Sequence, residues 1–432
     1  MSRLVRRLAL FALVLGPLLA RAGDDAPRAR VAAVAQAIER HYFDPGRAAR
    51  IAAELRAEAA RGRYDALRDP RELASALTGR LQPLDRHFRV SWVPAASALP
   101  APRAEPQLRR SRPEDHARRG NHGIRKVEVL PGNVGYLELR EFAHFDFDDP
   151  DAPPRRAIEA ALQVLAGVDA LVIDLRRNGG GSPAMVGYLA SAFLAPGVDV
   201  YNRFHSRDGV VGEAPKQAYP APRPDLPLFV LTSARTGSAA EAFAYTLKHA
   251  GRATIVGEPS AGAANPGGEF DVGGGLRVFV STGSPRNPVT GGNWEGDGVQ
   301  PDVAVAQADA MRTATELALQ AALARSHGEA ASTETRWALE ALRAQAAPAS
   351  PPPLADYAGR YGPIAIETDD RGLRLRNRRR PALSLLQLQQ DLFTATEEPS
   401  MRVRFERGAR GEVTALETLY ADGRSDRFRR DE

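Results

Sequence analysis

The chain has 432 residues, 43% hydrophobic and 26% charged, which is enough for two to four domains with sizeable cores and too apolar for a disordered chain. Lysine and arginine number 58 against 53 aspartate and glutamate, a net charge of +5 with no dominant basic block, which argues against a nucleic-acid-binding protein. There is no cysteine, so disulfides and thiolate metal sites are excluded.

Residues 1–22 join a cationic start, MSRLVRR, to the apolar run LALFALVLGPLLA and the small-x-small signature ARA. This pattern reads as a secretory signal peptide cut after Ala22, which predicts an exported protein, periplasmic or extracellular, with no stable membrane insertion after cleavage. Residues 23–94 read as a helical subdomain: two apolar patterns of helical period break at Pro45 and Gly62, and Asp69-Pro70 opens a third helix. The subdomain closes on a strand-like LDRHFRVSWVP. Residues 95–123 are rich in proline and arginine and read as a linker or mobile loop.

From 124 to 325 the character is αβ. Two short strands surround a Pro-Gly-Asn turn, an amphipathic helix follows, and ALVIDL is a continuous apolar strand of the kind buried on both faces. PLFVLTS and TIVGEP repeat that strand type with a helix between them, so the core is predicted as a mostly parallel sheet with crossover helices. GGEFDVGGGL reads as a hairpin and LRVFVSTG as a strand closing this core. Residues 326–353 read as a helical and proline-rich linker. Residues 354–432, turn-rich with period-two alternation, read as a small all-β module.

Sites in parallel sheets gather at the carboxyl ends of strands. Two such ends are unusual here: RRNGGGS after ALVIDL, and ARTGSAAE after PLFVLTS. Ser238 opens a helix and, with Glu241, fits a capping box, while the same position suits a nucleophile. The Ala239 N–H and a glycine N–H from 179–181 would then supply two donors for an oxyanion. The acidic loop AHFDFDDPD, with His144, lacks a partner ligand motif and reads as a solvated loop.

IDLRRNGGG, LTSARTGSAAEAFAYTLK, VGEPSAGAANPGG and NPVTGGNWEGDGVQPDV, in this order, resemble the S41-type serine peptidases, tail-specific and tricorn-like, in the branch similar to interphotoreceptor retinoid-binding protein. The resemblance covers about residues 30–320 and implies a spiral crotonase/ClpP-like αβ core behind the helical subdomain. It implies Ser238 as nucleophile and Ala239 with Gly180 and Gly181 at the oxyanion hole. Ala263 stands where the processing branch carries its lysine, and no lysine follows Lys248, so a Ser-Lys dyad is not expected. The tricorn-like pattern implies His87 as base and Glu295 as the late acid. That pattern has a bridging serine before the histidine; Arg86 stands here, and Asp85 is the alternative orienting group.

The expectation is an exported Ser-His peptidase, acting on peptides or unfolded protein termini without metal or cofactor. The alternative is a non-catalytic carrier of an apolar small molecule on the same fold.

Overall fold

The computed structural model describes residues 26–93, 117–326, 328–346, 354–370 and 372–431. The expected signal peptide and most of the 95–123 segment lie outside these residues. The described chain forms two compact units, each discontinuous in sequence: 26–93 with 205–210 and 265–284, and 117–204 with 211–264 and 285–431.

The first unit holds helices α1 (Pro27–His41), α2 (Pro45–Ala60) and α3 (Pro70–Leu81), each with proline in its first turn. Asp44 caps α2 through the Arg47 N–H at 2.9 Å, and Asp69 caps α3 through the Arg71 N–H at 2.8 Å. Their inward stripe, including Val34, Ile38, Leu55, Leu73 and Leu77, is fully buried. A three-stranded antiparallel sheet covers it, in which β1 (Arg89–Trp92) pairs with a strand from far along the chain, Val90 opposite Val278. The stretch LRVFVSTG therefore does not close the αβ core. Its alternate residues Leu276, Val278 and Val280 bury against the helical layer instead.

The second unit is built on a six-stranded sheet. In chain order its strands are β2 (Ile124–Leu130), β3 (Val134–Leu139), β4 (Ala170–Asp174), β7 (Leu228–Thr232), β8 (Thr254–Gly257) and β12 (Val303–Ala304). The spatial order is β12-β8-β7-β4-β3-β2, all parallel except the edge strand β2. Every residue of β4 and β7 is buried, as their unbroken apolar runs require. Leu171, Ile173, Val230 and Ile255 face helices α4 (Pro153–Val164), α5 (Pro183–Ser191) and α6 (Ala239–His249). Val172, Phe229, Leu231 and Val256 face α7 (Gln307–Arg325) and α8 (Glu329–Ala346). Thus α8, read from sequence as part of a linker, is a packed layer: Ala338 and Leu339 are buried in the core. Strands β5 (Arg203–Ser206), β6 (Gly209–Gly212) and β11 (Gly283–Arg286) lie where the chain passes between units, and β9 (Gly267–Gly273) and β10 (Leu276–Ser281) form the hairpin of the first.

From Gly359 to Arg429 the chain is an eight-stranded antiparallel meander, β13 to β20, in strict sequence order. Its end returns to its beginning, the Asp431 N–H donating to the Arg360 carbonyl at 2.8 Å. Tyr357, Tyr361, Phe393 and Phe405 form its aromatic centre. Arg402 on this sheet stacks over the Trp337 ring of α8 at 4.3 Å and pairs with Glu340. No helix among the described residues is long and apolar enough to cross a membrane.

Candidate active site

Strand β7 delivers the chain to a tight turn before α6. Thr236 ties this turn to the end of β4, its hydroxyl donating to the Leu175 carbonyl at 2.8 Å. Ser238, the residue before α6, has φ +53° and ψ −120°, in the left-handed half of conformational space that non-glycine residues avoid. Such strain persists only where the surroundings enforce it, and it is concentrated at functional turns. Ser238 is exposed between buried Gly237 and Ala239. Its carbonyl accepts from the Glu241 and Ala242 N–H groups at 2.9 and 3.0 Å, which starts the helix.

The glycine turn after β4 packs directly on this elbow. A Cβ at Gly180 would lie 2.8 Å from the Ser238 Cβ and 3.1 Å from the Ala239 nitrogen, so only glycine fits. Asn178, fully buried, holds the turn: its side chain donates to the Leu139 carbonyl at 3.0 Å and accepts from the Gly180 N–H at 2.9 Å, and its carbonyl accepts from the Gly237 N–H at 3.0 Å. The Gly180 N–H is thereby occupied. Among the described residues, the N–H groups of Ala239 and Gly181 have no hydrogen-bond partner.

Glu241, fully buried in the first turn of α6, accepts four hydrogen bonds. They come from the Ser238 N–H at 2.7 Å, the Ser260 hydroxyl at 2.6 Å, the Gly262 N–H at 2.6 Å and the Ala263 N–H at 2.9 Å. Burial raises its carboxyl above the ordinary value, and these donors work in the opposite direction. The next amide of the same loop, Ala264 N–H, donates to Glu295 at 2.9 Å, and the Gly262 carbonyl accepts from the Gly296 N–H at 2.9 Å. Glu295 is therefore joined to the elbow through the 260–264 loop.

In the first unit, Asp85 and His87 follow α3. The Asp85 carboxylate lies 3.2 Å from His87 Nδ1 and accepts the His87 backbone N–H at 2.9 Å. Burial opposes its charge, but the His87 ring and amide and the Ser281 hydroxyl outweigh that and hold its carboxyl below the ordinary value. Tyr42 flanks the same carboxylate, and burial, followed by the Asp85 charge, raises its phenol. Arg86, between them in sequence, is exposed while Asp85 is buried. The group beneath the imidazole is thus Asp85, one position before the expected bridge.

Ser238, Ala239, Gly180, Gly181 and Glu295 are gathered in one unit, and Asp85 with His87 in the other. Of the remaining histidines, His249 ends α6, where burial lowers its pKa, and His144 Nδ1 lies 2.9 Å from the Ser182 hydroxyl. The acidic loop around His144 is built of turns: Asp146 accepts from the Asp148 N–H and Asp149 from the Asp151 N–H, both at 3.0 Å, while Phe145 and Phe147 are buried. Sequence reasoning missed Asn178 and Ser260. It found Glu241 only as a helix cap, since the capping-box pattern registers one of its four contacts.

Residues 133–305 match the family model described as Peptidase family S41. The chain is 33% identical over 169 residues to carboxyl-terminal-processing peptidase 2, chloroplastic, of Arabidopsis thaliana, covering 35% of this chain and 30% of that protein. It is 29% identical over 203 residues to a carboxyl-terminal-processing protease of Picosynechococcus sp., covering 44% of each. The chain thus spans less than half the length of these curated relatives. A solved structure of the photosystem II D1 C-terminal processing protease aligns with a TM-score of 0.41 at 19% identity, over 65% of this chain and 93% of that one. The family match takes in the glycine turn, the strained serine elbow and Glu295 together, and over residues 133–305 this chain is similar to peptidase family S41.

Proposed function

We propose that this protein is an exported serine peptidase that cleaves peptides or unstructured protein termini through an acyl-enzyme. The observation that carries the reading is Ser238, exposed in a left-handed elbow at the N-terminus of α6, with the N–H groups of Ala239 and Gly181 unpartnered among the described residues. His87 is the general base. With Nδ1 on Asp85, its Nε2 is the nitrogen that serves the serine. His87 takes the proton from the Ser238 hydroxyl as the oxygen attacks the substrate carbonyl carbon, and the Ala239 and Gly181 N–H groups hold the resulting oxyanion. His87 then protonates the leaving amine. Water, deprotonated by His87, attacks the acyl-enzyme and releases the acid and free Ser238. Gly180 shapes the hole but does not donate, its N–H being bound to Asn178. Asp85 orients His87, and Glu295 is the second acid of the relay. A lysine base is not part of this mechanism, because Ala263 stands at that position.

The test is reaction of the mature protein with a fluorophosphonate probe, followed by mapping of the labelled residue. Labelling at Ser238, lost in Ser238→Ala, is expected. A folded protein that stays unlabelled at Ser238 sinks the peptidase reading and favours a non-catalytic carrier.

A further inference from the structure

Glu241 is buried beyond what a helix cap requires. A cap needs one carboxylate oxygen on one or two amides at a solvated helix end. Here a fully buried carboxylate receives two donors on each oxygen: Ser260 and Gly262 on Oε1, Ser238 and Ala263 on Oε2. Four inward-pointing donors are what makes a buried charge tolerable, and only the anion accepts all four. The donors belong to two segments far apart in sequence, the elbow at 238 and the loop at 260–263. That loop is itself bound onward: Ser260 Oγ accepts from the Val299 N–H at 2.6 Å, and Ala264 N–H donates to Glu295.

We infer that Glu241 is a positioning residue, a carboxylate clasp that holds the Ser238 elbow and the loop carrying the Glu295 contact as one body. The inference rests on Ser238 being the nucleophile. Without the clasp, the elbow's unfavourable φ has no restraint on its amide, and the serine relaxes away from the hole. Protonation opens the clasp, because a proton on either oxygen displaces a donor already there. The groups facing the carboxylate are three backbone amides and one hydroxyl, and Glu295 is bound to the same loop through the Ala264 amide. Glutamine cannot replace it. With its amide nitrogen at the Oε2 position, the Ser238 and Ala263 N–H groups face an N–H; at the Oε1 position, Gly262 does.

The experiment follows fluorophosphonate labelling rates against pH in wild type, Glu241→Gln and Ser260→Ala, with melting curves and amide hydrogen exchange on the same proteins. Glu241→Gln is expected to label about 100-fold more slowly, the cost of a small misplacement of a reacting group. Ser260→Ala, which removes one of the four donors, is expected to slow labelling about 5-fold. In wild type, protonation of Glu241 steepens the acid limb. The steepening moves to higher pH in Ser260→Ala and disappears in Glu241→Gln. Exchange at the Ser238, Gly262 and Ala263 amides accelerates in both variants. Wild-type labelling rates in both folded variants overturn the inference, as does slowing with an unmoved acid limb, which is a purely structural effect. If Glu241→Gln fails to fold, an unchanged rate and acid limb in Ser260→Ala overturn it alone. Wild type unlabelled at Ser238 defeats the peptidase reading and the positioning role with it. Faster exchange in the variants would then mark Glu241 as structural only.

Discussion

Ser238 carries its backbone strain in its own φ, and strain of this kind costs about 1–3 kcal/mol. Glycine adopts the same φ freely, whereas alanine keeps the penalty. Ser238→Gly is therefore expected to melt higher than Ser238→Ala, by about 1 kcal/mol in unfolding free energy, although neither can be labelled. Equal stabilities would mean that the elbow is not strained. Asp85 makes a second prediction at this scale. Its depressed carboxyl pKa means that it stabilises the fold above the ordinary carboxylate range, and that this contribution is lost as pH falls through the lower native value. Asp85→Asn removes that acid-side dependence and presents His87 Nδ1 with the wrong partner. Labelling of Ser238 is expected to fall about 1,000-fold or more with the fold intact. A near-normal rate would transfer the orienting role to Glu295 alone.

Among the connecting elements, the glycine turn is the sharpest case, because its three glycines are unequal. A Cβ at Gly181 would lie 2.2 Å from the Phe142 carbonyl oxygen, across the short parallel bridge between these residues, and its φ is +139°. Gly179 has no positive φ and nothing within 4 Å of a Cβ. Gly181→Ala is expected to lose about 3 kcal/mol or more and all labelling, while Gly179→Ala stays within about 0.5 kcal/mol of wild type. Urea denaturation of the two variants decides this, and similar losses would refute the assignment. The sequence NGGG was legible as a tight turn. Which glycine packs against the serine was not, since that depends on β4 lying beside β7 and on the side chain of Asn178.

At the scale of the whole molecule, Glu213 is a fully buried carboxyl, and burial pushes its pKa up to about 8, against the opposing bonds from Asn202. Asn202 Nδ2 reaches both Glu213, at 2.8 Å, and the Thr246 hydroxyl on α6, at 3.0 Å, and Asn287 closes the cluster on Asn202 Oδ1 at 3.0 Å. A raised native pKa means that the proton is bound more tightly folded than unfolded. Its contribution is complete below the ordinary carboxyl value and declines as pH rises towards about 8. Within that window, stability is expected to drop by up to about 1.4 kcal/mol per pH unit. Glu213→Gln, neutral throughout, should flatten the dependence and make the variant the more stable protein at pH 8. Parallel pH profiles of urea denaturation for the two proteins test this, and profiles of the same slope would overturn it.

The sequence by itself determined the elements that rest on local periodicity and turn chemistry. These are the proline-started, aspartate-capped helices, the fully apolar parallel strands, the hairpins of the C-terminal module and the serine at a helix start. Their causes lie within a few residues of one another, so a single stretch of chain contains them. Tertiary structure alone decided that LRVFVSTG belongs to the helical unit, because a one-faced apolar strand is satisfied by whichever layer reaches it. It likewise made α8 a packed layer against the sheet. It also put Asp85 beneath His87 in place of residue 86, and it turned the Glu241 cap into a four-donor clasp. Burial and hydrogen bonding are properties of neighbours brought together from distant parts of the chain, and no spacing along the sequence records them.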